Sequence, residues 1–209
     1  MNFYRRALPL ILLVCLFPLT HAWGEVTPTL NSDAIKAAFG SYGVEVIDQA
    51  AGTRVANLYS GHGADKVCRT LAVTEFMQPI DPSLLQSHKE IVAGASIGAT
   101  LRAAGFTINK KLLIKTEVPA NEAFVALANG TTTVGTPLFT KVYALFAETS
   151  DRSIPYAVIA EAYHPAHFPP VHEEVTEQPP LREAAERALK RLSDFSLPVS
   201  IPILTASQS

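Results

Sequence analysis

The stretch Val67–Phe76, VCRTLAVTEF, decides how this chain folds. Read with a period of two, Val67, Leu71 and Val73 share one face while Cys68, Ala72 and Phe76 share the other. Both faces are apolar, which predicts a central strand covered on its two sides. Upstream, TRVANLYS (53–60) has strand composition, and the turn formers of SGHGADK (60–66) join the two runs into a hairpin. GVEVIDQ (43–49) reads as a further strand beside them.

Working outward, FTINKKLLIKTE (106–117) alternates, with Phe106, Ile108, Leu112 and Ile114 predicted inward and Thr107, Asn109, Lys111, Lys115 and Glu117 outward. TPLFTKVYALFAE (136–148) and IPYAVIAEAYH (154–164), joined by TSDRS, predict a second hairpin. Helices fill the gaps. NSDAIKAAFG (31–40) is a short helix capped by Asn31 or Ser32 and closed by Gly40. Asp81 or Ser83 caps a helix whose apolar stripe is Leu84, Leu85, His88, Ile91, Val92 and Ala95. Ser96 starts another that ends at Gly105, and NEAFVALA (121–128) is a fourth. LREAAERALKRLSDF (181–195) is amphipathic, with Leu181, Ala185, Leu189 and Leu192 on one side. Strands outnumber βαβ patterns, so the expected fold class is α+β: a mainly antiparallel sheet packed against a helical segment (82–105) and a C-terminal amphipathic helix.

The amino terminus has the form of a signal peptide over residues 1–22. Arg5 and Arg6 form a basic start, ALPLILLVCLFPL (7–19) an apolar stretch, and THA (20–22) a cleavage site. The apolar run is shorter than the roughly 20 residues a spanning helix requires. The division expected is a leader (1–22), a mobile start (23–31), one α+β domain (32–195) and a flexible tail (196–209), with a periplasmic or secreted location. No later run is long and apolar enough for an integral membrane segment after cleavage. The formal charge of −2 becomes more negative once the two leader arginines are removed, which excludes nucleic acid and anionic membrane as partners. Of two cysteines, Cys15 lies in the leader. Cys68 is therefore without an internal disulfide partner and is either a buried, inert thiol or paired between molecules.

Each chemical candidate stands beside a plainer reading. EAYHPAHFPPVHEE (161–174) crowds His164, His167 and His172 with three carboxylates. Pro165 and the following prolines prevent one helical face, and no established zinc spacing is present. The expectation is a solvent-exposed loop, with no metal and no cofactor. Glu161 shares a strand face with Ala157, Ile159 and Tyr163. A carboxylate there serves as an acid–base or ligand-binding group, or else forms a structural ion pair with Arg69, Lys110 or Lys141. Ser96, Gly98 and Arg102 outline an anion site, for which close helix–sheet packing is the simpler explanation. His88 reads as a core-edge histidine. No nucleotide-binding glycine spacing and no serine nucleophile elbow occurs.

IDPSLLQSHKEIVAGASIGATLRAAGFTI (80–108) resembles the aspartate–proline start, leucine pair, serine-capped helix and strand of chorismate–pyruvate lyases. EAYHPA (161–166) is similar to the E-x-[FY]-x-P-A stretch of those lyases and of UTRA ligand-sensing domains. The resemblance implies that fold, with a pocket, and a ligand-facing role for Glu161. The strands at 106–117 and 137–147 lack the arginine with which the lyases clamp a carboxylate, and the lyase reaction is not implied.

The function expected is an exported accessory protein that binds a small anionic or aromatic ligand, or an envelope protein, without catalysis. Its ligand-binding residues would be Glu161, Arg69, Ser96, Arg102 and His88. The alternatives are a lyase-type enzyme with Glu161 as acid–base group, and an envelope assembly factor that uses a strand edge.

Overall fold

The structure is a computed structural model that describes residues 30–50, 52–167 and 175–198. The expected leader and cleavage site, most of the start and tail, and His172, Glu173 and Glu174 lie outside the described residues. Six strands form one antiparallel sheet: β1 (Gly43–Ala50), β2 (Thr53–Ser60), β3 (Val67–Phe76), β4 (Thr107–Pro119), β5 (Pro137–Glu148) and β6 (Ser153–Tyr163). Their order is β1-β2-β3-β6-β5-β4, so β3, the strand with two apolar faces, is an interior strand. Both predicted hairpins, β2–β3 and β5–β6, are present. The fold is α+β.

Helices cover the two faces. On one, α4 (Glu122–Leu127) and α5 (Pro179–Ser193) bury Phe124, Leu181, Ala185, Ala188 and Leu192 against Leu71, Val73, Val142, Val158 and Ala160. On the other, α1 (Asn31–Phe39), a 3-10 turn at Pro82–Leu84, α2 (Leu85–Val92) and α3 (Ile97–Ala103) lie over the sheet. There Leu30, Leu84, Ile91 and Leu101 meet Ala72, Phe76, Leu145, Tyr156 and Ile159. Among the described residues no helix is long and apolar enough to cross a membrane.

Three local expectations are corrected. Cys68 lies on the α5 face with Leu71 and Val73, because the β2–β3 register shifts between Leu58 and Tyr59 and the extra residue reverses the alternation. A shift between Leu112 and Ile114 likewise turns Ile114 toward the α5 side while Leu112 stays on the opposite side. In the 82–92 segment Leu84 and Ile91 are fully buried, but Leu85 and Val92 are exposed. Leu84 and Ile91 are seven residues apart, as are Leu85 and Val92, so the two pairs form lines about 100° apart around the axis, and only the first line meets the sheet.

Candidate functional site

Strand register places the candidate site. Residues opposed across antiparallel strands point to the same side. The row Ala56, Ala72, Glu161, Lys141 crosses β2, β3, β6 and β5, and beside it runs Arg54, Thr74, Ile159, Tyr143. Ala56 and Ala72 carry only a methyl group, so the sheet surface dips between Arg54 on one side and Glu161 on the other. Leu30, Asn31 and Ser32 from the start of α1, and Ser96, Ile97 and Gly98 at the start of α3, roof the dip. The result is a cavity of about 70 Å³. Gly98 permits the close roof: a Cβ there would stand 2.8 Å from Leu30 Cδ1.

Arg54 is the cationic centre. It is 2 % exposed, and its Nη1 donates to the carbonyls of Ile91 and Ala95, each at 2.9 Å. Ile91 lies in the last turn of α2, where its carbonyl also accepts from the Gly94 N–H, and Ala95 lies in the link between α2 and α3. Nε has no partner. Burial pulls the guanidinium below its ordinary value, opposed by the nearby hydroxyls of Tyr42 and Tyr156. It nevertheless stays protonated, since arginine starts so high. Tyr42 lines the same cavity and hydrogen-bonds the Ser96 side chain; burial raises its hydroxyl.

Glu161 is 4 % exposed, and both its oxygens are held. Tyr143 donates its hydroxyl to Oε1 at 2.9 Å, and Tyr163 donates to Oε2 at 2.5 Å. The expected ion pair to Arg69 or Lys110 is absent, because each cation is engaged on an aromatic ring. Arg69 lies 3.8 Å from the Phe39 ring centroid and donates from Nε to Ser60, and Lys110 Nζ stands 4.4 Å from the Tyr143 centroid. Lys141 faces Glu161 across the β5–β6 register. The cavity's charged lining is thus Arg54, Lys110 and Glu161.

The histidines correct the reading of an exposed loop. His164 and His167 are 4 % and 3 % exposed. The Ala166 N–H donates to His164 Nδ1, so that ring must carry its proton on Nε2 and give it to Thr131 Oγ1 at 2.9 Å; Thr131 in turn donates to the Ala128 carbonyl. His167 Nε2 meets Asn31 Oδ1 at 2.8 Å, and Asn31 Nδ2 donates to Thr70. Asn31 therefore ties the histidine corner to the cavity roof instead of capping α1, where no side-chain cap is made. Among the described residues no three His, Cys, Asp or Glu side chains group together.

Of the residues singled out from sequence, Glu161 and Ser96 line the cavity. Arg69 and Arg102 are placed elsewhere, the latter paired with Asp33 at 3.2 Å. His88 Nδ1 meets the Tyr156 hydroxyl at 3.0 Å and its ring packs edge-on to Phe76. Arg54, Tyr42, Thr74 and Tyr143 were not anticipated. The available signal for Arg54 was the period-two set Arg54, Ala56, Leu58, which shares a face in β2.

No family model matches the sequence, and no curated protein matches it. The solved structures to which the chain is similar include the following three. One is the ligand-binding domain of a protein assigned to the GntR family of transcriptional regulators, from Bordetella bronchiseptica (15 % identity, TM-score 0.39, covering 66 % of this chain and 90 % of that one). Another is a GntR-family transcriptional regulator from Enterococcus faecalis V583 (15 %, TM-score 0.34, 66 % and 96 %). The third is PhnF from Mycobacterium smegmatis (14 %, TM-score 0.40, 74 % and 70 %).

Proposed function

We propose that this chain is an exported protein of chorismate lyase-like, UTRA-like architecture that binds a small anionic ligand in the cavity between the sheet and α1–α3, without catalysing a reaction. The observation that carries the reading is Arg54. A guanidinium with 2 % exposure and an unpartnered Nε lines a cavity, and its two protein bonds go to neutral carbonyls. Burying a cation without a counter-charge is costly, and an anion in the cavity relieves that cost. The resemblance of EAYHPA implies a ligand-facing Glu161, and Glu161 does line the same cavity. Both its oxygens already accept from tyrosine hydroxyls, which suits a fixed wall more than a proton-transfer group. The leader-like amino terminus supports export.

The test is native mass spectrometry of protein recovered from the periplasm, before and after denaturation. The expected result is a small acid that leaves on unfolding and is lost from an Arg54→Lys variant. Absence of any bound mass, together with no thermal shift across a panel of small anions, would overturn the reading.

A further inference from the structure

Resting on that reading, we infer that the ligand is a short aliphatic monocarboxylate, an acid of about two to four carbons. Size, charge and lining each narrow the class. The cavity, at about 70 Å³, is small. An apolar cavity that admits benzene is roughly 150 Å³, and drug-sized ligands occupy roughly 300 Å³ or more. An aromatic acid, a sugar phosphate or a nucleotide therefore does not fit the cavity as built. Its floor is closed by sheet residues fixed in register, so widening it would require moving Ala56 or Ala72 with their strands.

Charge gives the sign. Arg54 and Lys110 are the cationic lining groups and Glu161 the acidic one, with buried Lys141 facing Glu161 in the register row, so cations outnumber carboxylates around the cavity. An anion balances that excess, and the cavity's size restricts it to a small one. The geometry of Arg54 selects a carboxylate among small anions. Nη1 is already committed to Ile91 and Ala95, which leaves the Nε–Nη2 edge, two parallel N–H groups spaced to fit the two oxygens of a carboxylate. The remaining lining is mixed: beside the polar groups of Tyr42, Thr74, Ser96 and Tyr143 it has an aliphatic part, with Val44, Leu58, Leu145 and Ile159 around the two alanines, which suits a short hydrocarbon tail.

The test uses protein refolded from denaturant to strip any ligand, then titrated calorimetrically with sodium acetate, propionate, butyrate and benzoate. Propionamide serves as the neutral isostere and sodium chloride as the inorganic control. The expected result is binding of the two- to four-carbon acids, with benzoate, propionamide and chloride at least ten-fold weaker. Arg54→Lys weakens propionate at least ten-fold. Because Arg54 also secures the end of α2, a second variant, Ala72→Val, leaves that contact intact and shortens the cavity; it weakens butyrate by a larger factor than acetate. Benzoate equal to propionate would overturn the size class while leaving anion binding standing. Propionamide equal to propionate would overturn the carboxylate. Failure of every acid, with a different molecule co-purifying in native mass spectra, would overturn the class alone; failure of every acid with nothing co-purifying would remove the binding reading as well.

Discussion

Arg54 and Glu161 line one cavity from β2 and β6, and they do not neutralise each other. The guanidinium is committed to the carbonyls of Ile91 and Ala95, the carboxylate to the hydroxyls of Tyr143 and Tyr163. Two opposite charges in one small cavity are kept apart by the alanines of the register row between them. A direct ion pair would fill the space and leave nothing for a ligand to complete. The separation gives each charge its own consequence when it is altered.

Arg54→Met should destabilise the protein by about 2–4 kcal/mol, because it strips the carbonyls of Ile91 and Ala95 of a charged donor. Urea denaturation of both proteins measures it. A stabilised Arg54→Met variant would show that the uncompensated buried cation costs more than its two hydrogen bonds contribute.

Glu161→Ala removes the buried carboxylate to which two tyrosine hydroxyls donate, at a cost of about 2–3 kcal/mol. Glu161→Gln keeps one acceptor oxygen but turns an NH₂ group toward the other hydroxyl, which must rotate, for about 1 kcal/mol. Denaturation midpoints of the two variants should fall in that order.

Stability should fall in mild acid. Burial, and after it Arg69, holds His164 below the ordinary histidine value of 6.5, with His167 adding to the effect. Burial also lowers His167; Glu161 pulls it back up and Arg69 lowers it further. The unfolded chain therefore takes up protons that the folded one resists. The stability these rings contribute is complete above pH 6.5 and is lost as pH falls below it. Urea midpoints measured from pH 8 to pH 5 should drop below about 6.5, and a His164→Gln/His167→Gln protein should show a shallower drop. An equal slope in both proteins would assign the acid sensitivity to other groups.

Cys68 should resist thiol reagents in the folded protein. It is fully buried on the α5 face, and that burial pushes its thiol far above the ordinary range, so almost no thiolate is present. Iodoacetamide should label it only after unfolding, and non-reducing gels should show no disulfide-linked dimer. Rapid labelling of the native protein would contradict its placement in the core.

How much of this was legible in the chain differs from residue to residue. The interior strand at 67–76 and the face on which Glu161 lies follow from period-two alternation, which the pleat of a single strand dictates without knowledge of its neighbours, and the two hairpins follow from the turn formers that join their strands. The faces of Cys68 and Ile114 were not legible, since one extra residue in a bulge reverses the alternation, and a bulge is visible only when two strands are laid side by side. The histidine loop failed as a reading for a related reason. His164 and His167 are buried by Thr131, Phe124, Asn31 and Phe39, all more than 30 residues away in the chain.

The sequence by itself determined an α+β chain with a central apolar strand and placed Glu161 on an apolar strand face, because these depend on local periodicity and composition. Only the tertiary structure decided that Arg54, and not Arg69 or Arg102, lines the cavity. Those three arginines look alike along the chain, and each is assigned by what the fold brings to its guanidinium. For Arg69 that is an aromatic ring, for Arg102 a surface carboxylate, and for Arg54 the end of a helix above two alanines, where the dip in the sheet becomes a cavity.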